Sequence, residues 1–280
     1  MEIPLTFRCN NNCISCIVDR RLGTMDVPWP EIKKRIDMLP KSCDTVGITG
    51  GEPTITKNFF RTMAYLSKAR PDILVFLVTN GRMFSYPEFA TKLSGIRIRN
   101  LRVGTAIYSH DPEIHDSITM TQGSWKQTIQ GIKNLIGLGI RVELRIIVSR
   151  LNYSSLEETA KYISENLRWV ERIVFINMKY TGNAFRNRKA VFIRYSELIP
   201  NVTQAADILL EAGMTVKLFH FPLCTLPEKY RELAKGITKQ KAELAFTEAC
   251  KSCKSRQECP MIWRTYLTLV GDGEFKPINY

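Results

Sequence analysis

The chain has 280 residues, of which 44% are hydrophobic, 24% charged and 10% aromatic; this is enough to bury one large core and excludes intrinsic disorder. No stretch approaches the roughly 20 apolar residues that cross a bilayer, and the opening MEIPLTFRCNNNC lacks the basic and apolar regions of a signal peptide, so a cytoplasmic protein with no membrane contact is expected. Forty Lys and Arg against 27 Asp and Glu leave a formal charge of +13, which admits a nucleic-acid partner, although the basic residues are dispersed and only Arg186, Arg188 and Lys189 form a tight group.

In chain order, apolar runs rich in β-branched residues alternate with segments of helical period, the pattern of βα units around a parallel sheet. Six strands are expected: Glu2 to Phe7, Thr45 to Thr49, Ile73 to Thr79, Leu101 to Ile107, Arg141 to Val148, and Arg172 to Met178. Ile32, Ile36 and Leu39 share a helix face between the first two strands, and Phe59, Met63 and Leu66 share one after the second. Ile129, Ile132 and Ile136 do the same after the fourth, and Leu156, Ala160, Ile163 and Leu167 after the fifth, where Ser154 and Glu157 are placed to form a capping box. Right-handed crossovers then predict an α/β fold, a partial (β/α)6 TIM-type barrel with ligands at the C-terminal strand ends. Beyond Gly182 the pattern breaks into a basic loop, a helix near Glu197 to Glu211, a short strand Thr215 to Phe219 and a cysteine-bearing segment. This predicts a barrel over 1–213 and a small cysteine-rich extension over 214–280.

Eight cysteines in a reducing compartment point to metal or redox ligands in place of disulfides. Cys9, Cys13 and Cys16 read C-x3-C-x2-C directly after the first strand. Three thiolates are one fewer than a closed zinc or iron–sulfur site takes, so one coordination position is left for an outside ligand. Two readings follow from spacing alone: that open site, or a zinc loop completed by Cys43 or His115. Gly50-Gly51-Glu52-Pro53 follows the second strand, and Thr79-Asn80-Gly81 ends the third; each is also ordinary turn punctuation. Tyr108 to Asp116, with Ser109 and His115-Asp116, and then Gly123-Ser124-Trp125, follow the fourth strand. Arg145, mid-strand among apolar neighbours, needs an anionic partner. Four further thiolates, Cys224, Cys250, Cys253 and Cys259, would suit zinc or an iron–sulfur cluster equally.

The C-x3-C-x2-C triplet, GGEP and T-N-G in this order resemble the radical S-adenosylmethionine (SAM) superfamily. That resemblance implies a 4Fe-4S cluster on Cys9, Cys13 and Cys16 whose remaining iron binds SAM. It also implies SAM contacts from Gly50, Gly51, Glu52, Pro53, Thr79, Asn80, Ser109 and Arg145, the last with Glu143 as its alternative partner. The pattern departs at two positions: Ala106 stands where a ribose-binding serine is usual, and Ser15 where an aromatic residue precedes the third cysteine. His115-Asp116 is expected to fix its loop by hydrogen bonding. The C-terminal cysteines resemble a SPASM/twitch domain and imply an auxiliary 4Fe-4S cluster, with zinc as the alternative. Phe221-Pro222-Leu223-Cys224 and Thr181-Gly182-Asn183-Ala184 are loosely similar to His-Xaa-Ser system peptide maturases. The implied activity is reductive cleavage of SAM to a 5′-deoxyadenosyl radical that takes hydrogen from a peptide or protein side chain, with flavodoxin or ferredoxin as electron donor. A small cofactor precursor, carbohydrate or tRNA substrate is the alternative, and a zinc-stabilised nucleic-acid-binding protein the alternative of another class.

Overall fold

The computed structural model describes residues 1–18, 25–236 and 241–279. Seven strands, β1 (Glu2–Pro4), β2 (Thr45–Thr49), β3 (Leu74–Thr79), β4 (Leu101–Ala106), β5 (Arg141–Val148), β6 (Arg172–Asn177) and β7 (Val216–Phe219), form one sheet in sequential order. All six pairings are parallel. β1 and β7 remain as edges, so the barrel is open, as the βα alternation predicts.

The helices are α1 (Trp29–Asp37), α2 (Phe59–Ala69), α3 (Pro87–Gly95), α4 (Pro112–Thr119), α5 (Ser124–Gly137), α6 (Leu156–Asn166), α7 (Gly182–Arg186), α8 (Arg188–Val191) and α9 (Tyr195–Glu211). Alternate strand residues face them: Val75, Leu77, Val103, Leu144, Ile146, Ile173 and Phe175 are all fully buried. Ile32, Ile36, Met63, Leu66, Ile132, Ala160 and Ile163 meet them from the helices. Each such aliphatic side chain contributes about 1.5–3 kcal/mol over an exposed one, and this layer carries most of the core. The opposite strand face lines the barrel interior and is partly charged. There an added Cβ on Gly104 would lie 2.6 Å from the Phe76 ring and 3.3 Å from Arg145 Cδ.

Two expectations are corrected. The run ending at Phe219 was placed beyond the barrel, but α9 is a crossover helix and returns it parallel to β6 as a seventh strand. The cysteine-bearing segment therefore starts after β7. α6 begins at Leu156 behind a 3-10 turn, Tyr153–Ser155, with no side-chain cap. Glu157 pairs with Lys161 at 2.9 Å instead of reaching back to a cap.

The C-terminal segment contains β8 (Leu244–Ala245), antiparallel to β9 (Ile262–Trp263), and then α10 (Arg264–Val270). It is docked on the barrel by aromatic side chains. Trp263 Nε1 donates to the Asn177 carbonyl at 3.1 Å, the Tyr266 hydroxyl accepts from the Tyr195 amide at 3.2 Å, and the Tyr195 and Tyr266 rings lie 4.8 Å apart. No helix among the described residues is long and apolar enough to cross a membrane.

Candidate cluster and cofactor site

The loop bearing Cys9, Cys13 and Cys16 lies across the C-terminal strand ends and is gripped by the loops around it. After β2, Gly51 N donates to Thr6 O at 2.8 Å and Glu52 N to Arg8 O at 2.7 Å. The two glycines exist for this approach: a Cβ on Gly50 would sit 2.2 Å from Thr6 O, and one on Gly51 2.1 Å from Arg8 O. Gly50 also has φ +138°, a conformation that side chains disfavour. Both glycines make room for the backbone leading into Cys9.

Glu52 is buried and ties the two motifs together. Its Oε1 accepts from the Thr54 amide (3.1 Å) and hydroxyl (2.5 Å) and from the Thr79 hydroxyl (2.7 Å), and its Oε2 from the Asn80 amide (2.6 Å). Burial raises its pKa above the ordinary carboxylate value, and these donors oppose the rise. Pro53, also buried, starts the short turn that follows. Asn80 Nδ2 donates to Asn10 Oδ1 at 2.7 Å and lies 3.9 Å from Cys9 Sγ. Arg82, which no motif singled out, donates to the Asn10 carbonyl, to Asn11 Oδ1 (2.7 Å) and to Gln127 Oε1 (2.7 Å). Only the fold brings it to the cysteine loop.

On the other side the loop pairs with the end of α4, Asn12 N to Thr119 O and Ile14 N to Ile118 O, both at 2.9 Å. The Tyr108 hydroxyl hydrogen-bonds with Cys13 and with Ser15; burial, and then the Cys13 and Cys16 thiols, push its pKa well above the usual value. Ser15 thus has a partner where an aromatic ring is usual. Ser109 is fully buried, its hydroxyl taken by the Asp111 amide (3.1 Å) and Ser155 Oγ (3.2 Å). These bonds tie it to the scaffold. Arg145 Nε lies 3.5 Å from Glu143 Oε1, with Arg172 at 2.5 Å on the second oxygen of Glu143. The Glu143 carboxylate is thus an ion-pair partner of Arg145, while the buried Arg145 Nε has no hydrogen bond among the described residues.

His115-Asp116 holds its loop as expected. Asp116 accepts from the Gly123 amide, the Ser124 hydroxyl and the Trp125 amide at 2.5–2.8 Å, and His115 Nδ1 accepts from the Tyr108 amide at 3.3 Å. Burial lowers the His115 pKa to about 4, so the folded protein holds a neutral imidazole where the unfolded chain protonates near 6.5. Protonation of the unfolded state therefore erodes stability as pH falls from about 6.5 to about 4, by up to about 3 kcal/mol. Urea midpoints at pH 7 and pH 4.5 are expected to converge in His115→Gln relative to the parent; an unchanged pH slope counts against this role.

Neither residue offered as a fourth zinc ligand completes the triplet. The Cys43 thiol donates to Thr45 O at the start of β2, the far end of the barrel, and His115 Nδ1 is engaged with Tyr108. Among the described residues no three His, Cys, Asp or Glu side chains converge on one ion. Three thiols on one braced loop fit a cluster, whose ligand sulfurs stand farther apart than those around a single ion.

The family model of the radical SAM superfamily matches residues 3–163. The chain belongs to the radical SAM superfamily. Membership makes it a radical SAM enzyme and implies a 4Fe-4S cluster and SAM; the zinc-stabilised binding module gives way to it. Among radical SAM relatives, the chain is 30% identical over 165 residues to the antilisterial bacteriocin subtilosin biosynthesis protein AlbA of Bacillus subtilis, covering 58% of the chain and 36% of AlbA. To GTP 3′,8-cyclase of Petrotoga mobilis it is 25% identical over 229 residues, 79% of the chain and 69% of the cyclase. Streptococcus suis SuiB bound to S-adenosylmethionine superimposes with a TM-score of 0.68 over 99% of the chain and 76% of SuiB, at 12% identity. SuiB bound to the precursor peptide SuiA gives 0.62 over 78% and 48%, at 14% identity. At these identities the structural likeness carries the radical SAM fold. The chain spans about a third of AlbA's length.

A second cysteine group lies beyond the barrel. Cys224, in the turn after β7, lines one pocket with Cys250, Cys253 and Cys259. The Ile278 amide donates to Cys253 Sγ at 3.4 Å, and the Thr247 hydroxyl lies 3.4 Å from Cys250 Sγ. Burial, and then the neighbouring thiols, raise Cys224 to about 12, and burial raises Cys259 as well. As free thiols these two keep their protons, and a bound metal is what draws such protons off.

Proposed function

We propose that Cys9, Cys13 and Cys16 hold the SAM-binding 4Fe-4S cluster and that the chain modifies a side chain of a peptide or protein. The single observation carrying this reading is the braced three-thiol loop at the strand ends, with no fourth cysteine beside it among the described residues. When bound, cluster and SAM supply one-electron cleavage of the sulfonium and a 5′-deoxyadenosyl radical able to take hydrogen from carbon. The chain's part is to hold the three thiols, close the barrel over the substrate and keep water and other hydrogen donors away. Gly50–Pro53, Thr79 and Asn80 form the wall on one side of the loop and are the proposed SAM neighbours. Arg145, inside the barrel, is a neighbour only if the cofactor draws it from Glu143.

Peptide as the substrate class is supported by the relatives named for bacteriocin biosynthesis and solved with a precursor peptide. The greater reach of the match to the GTP cyclase favours a small cofactor precursor as the second reading. Cys224, Cys250, Cys253 and Cys259 are proposed to bind an auxiliary 4Fe-4S cluster. Four thiolates fill all its ligand positions, which suits accepting the electron left after hydrogen abstraction, with flavodoxin or ferredoxin as the proposed electron donor to the enzyme.

Anaerobic reconstitution tests this: about eight irons per chain are expected for two clusters, and about four with stoichiometric zinc would remove the auxiliary one. Cys253→Ala is expected to lose about half the iron and the substrate turnover, while most 5′-deoxyadenosine formation persists. Equal loss of both activities would contradict the assigned roles.

A further inference from the structure

The segment after β6 has no role in the reading above, yet it touches the cysteine loop more often than any motif does. Asn183 Nδ2 donates to Cys13 O at 3.1 Å, and Asn187 Nδ2 to Ile14 O at 3.1 Å. The Ala184 amide donates to Cys16 O at 3.1 Å, and the Thr181 hydroxyl to Ile17 O at 3.0 Å. Gly182, at φ +56°, lies so close that a Cβ would stand 2.7 Å from Ile17 O. Four carbonyls of the Cys13–Ile17 stretch are thus taken by one short segment.

We propose that Asn183 and Asn187 are positioning residues for the SAM-binding cluster, acting through the backbone of the loop that carries its second and third cysteines. This rests on the assignment of Cys9, Cys13 and Cys16 as cluster ligands. Three sulfurs must meet three corners of one rigid cluster, so the peptide planes beside each cysteine have to be fixed. Arg82 and Asn80 fix the Cys9 half, and α4 holds the amides of Asn12 and Ile14. The carbonyls on the Cys13–Cys16 half are held by the Asn183 and Asn187 amides together with Ala184 and Thr181. α7 and α8 belong to the barrel's sixth connection, so the brace also ties cluster geometry to the rim of the barrel mouth. Outer partners of metal ligands matter on a known scale: their loss typically costs ten- to a hundredfold in affinity or activity.

The test compares the reconstituted parent with the double variant Asn183→Ala, Asn187→Ala, following the SAM-induced change in the electron paramagnetic resonance of the reduced protein and the cluster reduction potential. The variant is expected to need roughly ten- to a hundredfold more SAM for half of the change, to show a displaced potential, and to release iron faster to a chelator. Asn134→Ala is the control, since its amide donates to Phe84 O and Ser85 O away from the loop; it is expected to match the parent. If the double variant does not fold, each single variant is expected to show part of the shift. A double variant, or foldable single variants, with parental SAM response and potential overturns the brace while leaving the cluster assignment intact. A parent with no SAM-induced change overturns the cluster assignment and the brace with it.

Discussion

Cys13→Ala is expected to abolish 5′-deoxyadenosine formation, a drop of more than about a hundredfold, beyond what the loss of an outer partner brings. Cys13 is the middle of three proposed ligands on one loop; its carbonyl is tied to Asn183 and its thiol to the Tyr108 hydroxyl. Removing it would leave two thiols for the proposed cluster, and Cys43, at the opposite end of the barrel, is not placed to replace it. Product quantified after anaerobic incubation with SAM and a strong reductant decides the matter. Formation at the parental rate would sink the assignment of the triplet. Cys43→Ala is the matching control and is expected to keep parental activity.

The second large effect is expected from a single methyl group. Gly51→Ala would place its Cβ 2.1 Å from Arg8 O, 2.6 Å from Arg8 C and 2.8 Å from Phe7 O. All three are backbone atoms, which cannot swing aside as the end of a flexible side chain does. The residue after Arg8 is Cys9, so the strain passes directly into the first proposed ligand. Overpacking of this kind costs about 1–3 kcal/mol, and the cheapest relief is retreat of the cysteine loop. Gly51→Ala is therefore expected to lower the thermal midpoint and to reduce SAM cleavage by at least about tenfold, the lower figure for a disturbed outer partner. Gly137→Ala makes the contrast: nothing lies within 4 Å of its added Cβ at the end of α5. Alanine there is expected to be neutral or to add up to about 1 kcal/mol of stability through helix propensity. If the two variants behaved alike, the close approach at Gly51 would not constrain the loop.

Short-range patterns in the sequence determined the strand–helix alternation, the open barrel and the chemistry at its mouth. A strand buried on both faces has its own composition, a helix its period, and a thiolate triplet its count of ligands; all are local properties. What only the tertiary structure decided depends on residues far apart in the chain. The seventh strand joins the sheet because α9 returns it to β6. Glu52 proves to be a tie between two motifs, and Ser109 and Glu143 bond to residues of neighbouring elements. The braces on the cysteine loop join residues 70 and 170 positions apart, Asn10 with Asn80 and Cys13 with Asn183. No period or spacing encodes such contacts, because they pair residues far apart in the chain, and where the acceptor is a backbone carbonyl, as at Cys13, it carries no residue identity.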